Sequence, residues 1–219
     1  YILGVSSGAG LGAMLAFVAT AALQITAIRW GLVPLAAFIG AALTMILVMR
    51  IATIKGRTNP TTLLLAGVAI SYALASLTSF VMVVAREQMS AIVYWNMGGL
   101  NLASWSYVAI VAPIAVIGLV AALRNTAALD VMLLGPERAG HLGLDAQKFT
   151  RVALVIATFL TAGAVSVSGL VGFVGLMVPH IVRLRYGALH RSLIPISFFA
   201  GGILLVFADV VARTIIAPI

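Results

Sequence analysis

Cysteine is absent from this chain, and carboxylates nearly so: Glu87, Asp130, Glu137, Asp145 and Asp209 are all that 219 residues contain. The first absence excludes disulfides and thiolate-bound metals. The second leaves no pair of neighbouring acids for general acid–base work. Histidine occurs only at His141, His180 and His190, without the spacing of metal ligands. No phosphate-cradling glycine loop is present either. The chain by itself is therefore expected to be no enzyme, with no catalytic residue, no metal and no bound cofactor. Charge is scarce as well: 8% of the residues are charged and 63% are apolar, where a soluble domain has about 25% and about 45–50%. No soluble fold of this length hides so much apolar surface. The reading is an all-α integral membrane protein, with the bilayer as its solvent.

What charge there is leans one way, with 13 basic against 5 acidic residues. The basic residues sit in short clusters between apolar runs, the pattern of topology signals rather than of a nucleic-acid surface. Five runs have spanning length: about 3–27, 32–49, 61–84, 106–123 and 193–215. The uncharged stretch 152–182 is either one overlong helix or two short ones joined near Ser168-Gly169. Two crossings put Arg50, Lys55, Arg57, Arg124, Arg138, Lys148, Arg151, Arg183, Arg185 and Arg191 on one side, against Arg29, Arg86 and Arg213. That asymmetry obeys the positive-inside rule, and a single crossing spoils it. Seven transmembrane helices result, starting from the cytoplasm. The pair 152–167 and 171–183 is short for the core unless its first helix begins near Asp145, a fitting N-cap. Tyr1 in place of an initiator methionine, and an apolar run reaching Ile219, are read as marks of a chain incomplete at both ends.

Two loops carry structure. Residues 85–105 contain "YWNMGGLNLASW", where Trp95 and Trp105 suit an interface and Gly98-Gly99 break a helix, so a short re-entrant or interfacial helix is expected. Residues 124–151 are the longest polar segment. Asn125 can cap a helical turn through Leu134, Gly135-Pro136 breaks it, and Pro136 starts a second helix ended by Gly143. Glu137, Arg138 and His141 then present a polar face while Leu142 anchors it. Two turns, 28–31 and 168–170, are tight.

Within the spans, Gly4, Gly8 and Gly12 recur at helical spacing and read as a small-residue packing face. The same stretch matches G-x-S-x-G through Ser6, so an intramembrane serine hydrolase using His180 stands as an alternative. Pro179 removes one helical hydrogen bond, and His180 beside it reads as a structural histidine. Asp209 is the one acid inside a span. Arg213 lies four residues on, on the same face, which favours a local ion pair over the proton path of an ion-coupled carrier.

The motifs "YILGVSSGAGLGA", "TTLLLAGVAIS", "YWNMGGL", "LLGPERAGHLGL", "GLVGFVGLMVPHIVRL" and "FADVVARTIIAP" occur in an order and spacing that resembles the FecCD-type permeases of type II ABC importers, which take up ferric siderophores, haem and vitamin B12. The resemblance spans essentially the whole chain. It implies a single transmembrane permease domain, 1–219, holding seven helices of an expected ten. It also implies a second permease protomer, cytoplasmic ATPase subunits that carry ATP and Mg, a periplasmic or lipid-anchored substrate-binding protein, and a bacterial or archaeal cytoplasmic (inner) membrane. Nucleic acid is no partner. By this resemblance Leu133, Leu134, Gly135, Pro136, Glu137, Arg138, Ala139, Gly140, His141, Leu142 and Gly143 look like ATPase-coupling helices within the 124–151 loop. Asn59, Pro60, Thr61 and Thr62 look like a cytoplasmic gate. Tyr94, Trp95, Asn96, Met97, Gly98 and Gly99 look like a short helix lining the outer pathway. Arg213 looks like a docking contact for the binding protein. Pro60 and Pro136 depart from the family pattern.

Overall fold

Without water to bond to, every backbone N–H and C=O must find a partner inside its own segment, so apolar runs of this length fold as helices. The computed structural model describes residues 3–23, 29–54, 57–100 and 103–215. Among them are α1 (Val5–Ala22), α2 (Arg29–Ala52), α3 (Pro60–Val84), α4 (Met89–Met97), α5 (Trp105–Arg124), α6 (Thr126–Met132), α7 (Pro136–His141), α8 (Ala146–Ser168), α9 (Val174–Tyr186) and α10 (His190–Ile215). Six of these, α1, α2, α3, α5, α8 and α10, have the length and apolarity to cross a membrane. The division of 152–182 into two helices holds, and α8 does begin beside Asp145, whose Oδ1 accepts the Lys148 N–H at 3.0 Å. With 13 residues, α9 rises about 20 Å and is the short member of the pair. The turn expected at 28–31 lies partly outside the described residues, and Arg29–Gly31 already belong to α2. A two-residue antiparallel ladder, Thr53–Ile54 with Arg57–Thr58, is the one departure from an all-helical chain among the described residues.

The chain divides into two units, Tyr1–Ala115 with Ala157–Val171, and Val116–Ile156 with Gly172–Ile219. In the first, α1 lies against α2. On α2 the buried side chains are Val33, Pro34, Ala37, Ala41, Thr44, Met45, Val48 and Ala52, one helical stripe. Most are small, and glycines complete the fit. A Cβ on Gly8 would overlap the Thr44 hydroxyl and lie 2.5 Å from the Gly40 carbonyl oxygen. One on Gly12 would overlap the Ala36 carbonyl, and one on Gly40 the Gly8 carbonyl. Gly4 does a different job from the one expected. It is the N-cap of α1, with φ 78°, and approaches Ser71 and the Gly67 carbonyl of α3. The hydroxyls of Thr20 and Thr44 are satisfied within their own helices, donating to Ala16 O and Gly40 O at 2.8 Å each. A 3-10 turn at Arg86–Gln88 leads into α4, which is seated by Ile92 on Met14 and Ala85. The C-terminal half of α8 packs here as well, through an edge-to-face pair of Phe38 and Phe159 with centroids 6.0 Å apart.

In the second unit α9 and α10 pack through Val178, Val182 and Leu193, with Val174, Ile196, Ala200 and Leu204 around them. Gly187, at φ 90°, ends α9 and lets the chain reverse.

These contacts predict that Gly8→Val separates α1 from α2 and destabilises the chain by about 1–3 kcal/mol, the usual range for overpacking. Gly10→Ala is the control, because its Cβ meets nothing nearer than the Asn96 Oδ1 at 3.5 Å. Thermal unfolding of the purified variants in detergent checks both, and equal behaviour of the two would contradict the packing.

Candidate functional site

The gate stretch is a capped helix start. Asn59 Oδ1 accepts the N–H groups of Thr61 at 2.9 Å and Thr62 at 3.4 Å. Pro60 occupies the first helical position, where its missing N–H costs nothing. The residue that departs from the family pattern is therefore well suited to its place. The small ladder just upstream, with Thr53 and Thr58 hydroxyls 3.0 Å apart, fixes how the chain enters the cap. Asn59, Pro60 and Thr61 are exposed, while Leu63, Ala66 and Gly67 one turn further are buried.

The "YWNMGGL" stretch forms α4 and its end. Gly98 and Gly99 have φ 66° and 147°, which stops the helix as expected. Gly99 N–H donates to Ser168 O at 2.8 Å. A Cβ on Gly98 would lie 2.5 Å from Leu170 O, and one on Gly169 would overlap Trp95 O. The end of α4 is thus joined backbone to backbone to the end of α8. Tyr94 and Met97 are exposed, and Trp95 and Asn96 are half-buried.

In the second unit the 124–151 loop, where the resemblance implies ATPase coupling, forms α6 and α7. Gly135, at φ 94°, separates them, Pro136 opens α7, and Gly143, at φ 83°, closes it. Glu137, Arg138 and His141 are exposed, as expected. Leu142 is not the anchor: it is 64% exposed, and Ala139, fully buried, takes that role. The helix ends at His141, so Leu142 leaves the buried face. With Leu133 and Leu134 also exposed, the segment presents three leucines and a set of charges together. Nor does Asn125 cap α6. Its Nδ2 donates backward to Ala121 O at 2.8 Å, because the last carbonyls of α5 lack helical partners.

His190, expected from the sequence to lie in a polar loop, instead opens α10, and Asp130 of α6 grips it twice. Asp130 Oδ1 accepts the His190 backbone N–H at 2.9 Å and stands 2.6 Å from Nδ1. Those bonds, backbone first and ring second, hold the Asp130 carboxyl below the usual carboxylate range. Nothing in the sequence marks two residues sixty positions apart as partners. At the other end of α10, Arg213 Nε donates to Asp209 Oδ2 at 2.7 Å, the local pair that the spacing predicts. His180 is exposed on α9, after Pro179. Ser6 is buried in the first turn of α1. No strand precedes it among the described residues, so the strand-to-helix elbow of a serine hydrolase is missing there.

Helices of spanning length, short helices ended by glycine and polar segments between them are the pattern of a multi-pass membrane protein. The chain belongs to the FecCD transport family, whose model matches residues 1–219. It is 42% identical over 212 residues to the cobalamin import system permease protein BtuC of Halobacterium salinarum, covering 97% of this chain and 56% of that protein. It is 34% identical to the Fe(3+) dicitrate transport system permease protein FecD of Escherichia coli, covering 100% and 66%, and 34% identical to the hemin transport system permease protein HmuU of Yersinia pestis, covering 99% and 65%. The chain thus spans between 56% and 66% of these relatives' lengths. A solved ABC transporter assigned to the metal-chelate type, in an inward-facing conformation, shares the fold with a TM-score of 0.87 at 24% identity, over 98% of this chain and 67% of that one.

The Asp130 bonds predict an acid-limb effect. A carboxyl with a lowered folded value contributes its stability in full above its ordinary value of about 3.9, and loses it as pH falls through the folded value. Between about pH 5 and 2 the wild type should therefore lose more stability than Asp130→Asn, which has no such group to protonate. Unfolding of both proteins across that range is the check, and parallel curves would contradict it.

Proposed function

We propose that the chain is the membrane-spanning part of an importer permease that moves a metal chelate inward at the expense of ATP hydrolysed on a separate subunit. Ferric siderophore, haem and cobalamin are the substrate classes that its relatives' names support. The observation that carries the reading is the family match over every residue, with α6 and α7 exposing leucines and charges together where the family resemblance puts its ATPase contact. In this reading the permease sits in the cytoplasmic membrane of a bacterium or archaeon, paired with a second protomer. The ATPase subunits, which bind ATP and Mg, dock on Leu133–Gly143. Asn59–Thr62 form the inner gate and Tyr94–Gly99 line the outer pathway. Chemically the arrangement suits this division of labour. A cytoplasmic partner needs an apolar anchor and a charged rim, and the segment offers Leu133, Leu134 and Leu142 beside Glu137, Arg138 and His141.

The test is ATP-driven uptake by the full-length protein in proteoliposomes with its ATPase and binding protein. Arg138→Glu is expected to leave the complex assembled in the membrane and to lower uptake per ATP by about tenfold, within the range for disrupted coupling contacts. Uptake at the wild-type ratio would overturn the docking assignment.

Arg213 supplies a second outcome. A guanidinium offers a planar fork to a carboxylate and stays charged at any working pH, and Asp209 orients this one from one turn below. Arg213→Glu is expected to weaken docking of the binding protein by roughly tenfold through charge reversal at an interface rim, with protein levels unchanged. A compensating Glu→Arg on the binding protein should restore docking. Reduced protein levels that no partner change rescues would instead mean a purely local pair.

A further inference from the structure

The grip of Asp130 on His190 is explained neither by membrane insertion nor by docking of an ATPase. It joins α6, which runs directly into the proposed coupling segment Leu133–Gly143, to the first residue of α10. Three observations give it weight. First, α10 lacks a cap of its own. The residue before it is Leu189, which has no side-chain acceptor, and the Ser192 hydroxyl donates back to Leu189 O at 3.1 Å instead of accepting from the first turn. The first N–H groups of a helix have no partner within it, and here the acceptor comes from another element. Second, α6 has no fully buried residue, so apolar burial does little to hold it. Third, both bonds fall on one residue and one carboxylate oxygen, and the side chains are only 14% (His190) and 27% (Asp130) exposed. Bonds to an ionised acceptor are short and directional, and a negative charge is favoured at a helix N-terminus.

We propose that Asp130 is a positioning residue that latches the coupling segment to α10, so that a displacement of α6 and α7 by the ATPase is passed to α10. This rests on the reading of Leu133–Gly143 as the ATPase-docking segment. Apolar contacts between helices slide at little cost, whereas a cap with a second bond to the same residue resists both sliding and rotation. The latch sits three residues before Leu193, which packs on Val178 and Val182 of α9, so the grip is applied where α10 is already held by its neighbour. From there α10 runs 26 residues, about 39 Å, and carries Asp209 and Arg213 in its last two turns.

The experiment uses the full-length permease with its ATPase and binding protein in proteoliposomes, and measures uptake per ATP alongside pull-down of the ATPase. Asp130→Ala removes both bonds. Asp130→Asn keeps an acceptor for the backbone N–H, and His190→Ala keeps that N–H but loses the ring. Asp130→Ala is expected to bind the ATPase normally, to hydrolyse ATP, and to lose about tenfold in uptake per ATP, within the range for residues that carry coupling between sites. Asp130→Asn and His190→Ala should fall between it and the wild type, and the double variant Asp130→Ala/His190→Ala should be no worse than Asp130→Ala. A wild-type ratio in Asp130→Ala, or losses that simply add in the double variant, overturns the latch. If Asp130→Ala accumulates poorly, the two milder variants decide: unchanged uptake per ATP in both overturns it equally. Arg138→Glu separates the two readings. An uncoupled Arg138→Glu beside a coupled Asp130→Ala sinks the latch alone. A coupled Arg138→Glu with normal ATPase binding sinks the docking assignment, and the latch with it.

Discussion

The first unit depends on how closely the backbones of α1 and α2 approach at Gly8, Gly12 and Gly40. In hydrocarbon, two helices gain nothing by hiding apolar side chains from lipid tails that are equally apolar, so association rests on close packing. Here a glycine on each helix faces a carbonyl on the other. The further placements follow from that contact. With α1 fixed, Met14 presents to Ile92 and seats α4. Gly4, at the start of α1, meets Gly67 and Ser71 two turns into α3, the helix whose first residues are the gate stretch. Two stretches of proposed functional importance thus hang on one small-residue face.

A second constraint governs where the helices may stop. An unsatisfied N–H or C=O in the membrane costs several kcal/mol, so each break must supply partners or leave the apolar region. Asn59 supplies two acceptor bonds at the start of α3. Gly99 and Ser168 satisfy one another where α4 and α8 end. Glycine is needed at Gly98 and Gly169 for two separate reasons, a positive φ and a neighbour where the Cβ would be. Phe173 takes φ 64° without being glycine, just before α9, a conformation that costs on the order of 1 kcal/mol or more for such a side chain.

These devices were unequally legible in the sequence. Span positions followed from run length and from arginine and lysine placement, because the bilayer imposes a length and charge that a single chain must obey. Helix ends at Gly98, Gly143 and Pro136 were legible because glycine and proline act on their own backbone. Partnerships between distant residues were not. Neither Asp130 nor His190 carries a local signal of the other. Asn125 misled for a related reason. Its side chain can accept or donate, and only the three-dimensional position of Ala121 O decides which. The exposure of Leu142 is not legible in the sequence, because hydrophobicity alone does not say on which side of a helix end a residue falls.

The two units also hold their parts by different means, and the difference bears on function. The α1–α2 contact is close and, at Gly8, Gly12 and Gly40, without room for even a methyl group, which suits a frame. The α6 helix, which leads into the proposed coupling segment, is fastened by a carboxylate, an imidazole and a helix N-terminus, with the leucines that follow it left exposed. Hydrogen bonds of that kind are directional, and they fail as a unit when one partner moves away. An element that must receive a push from a partner and hand it on needs such an attachment. It has to be stiff along the path of the push while burying little of its own surface, because that surface is kept for the partner. The fold places the Asp130–His190 contact, which lies between elements, at the joint where these two demands meet.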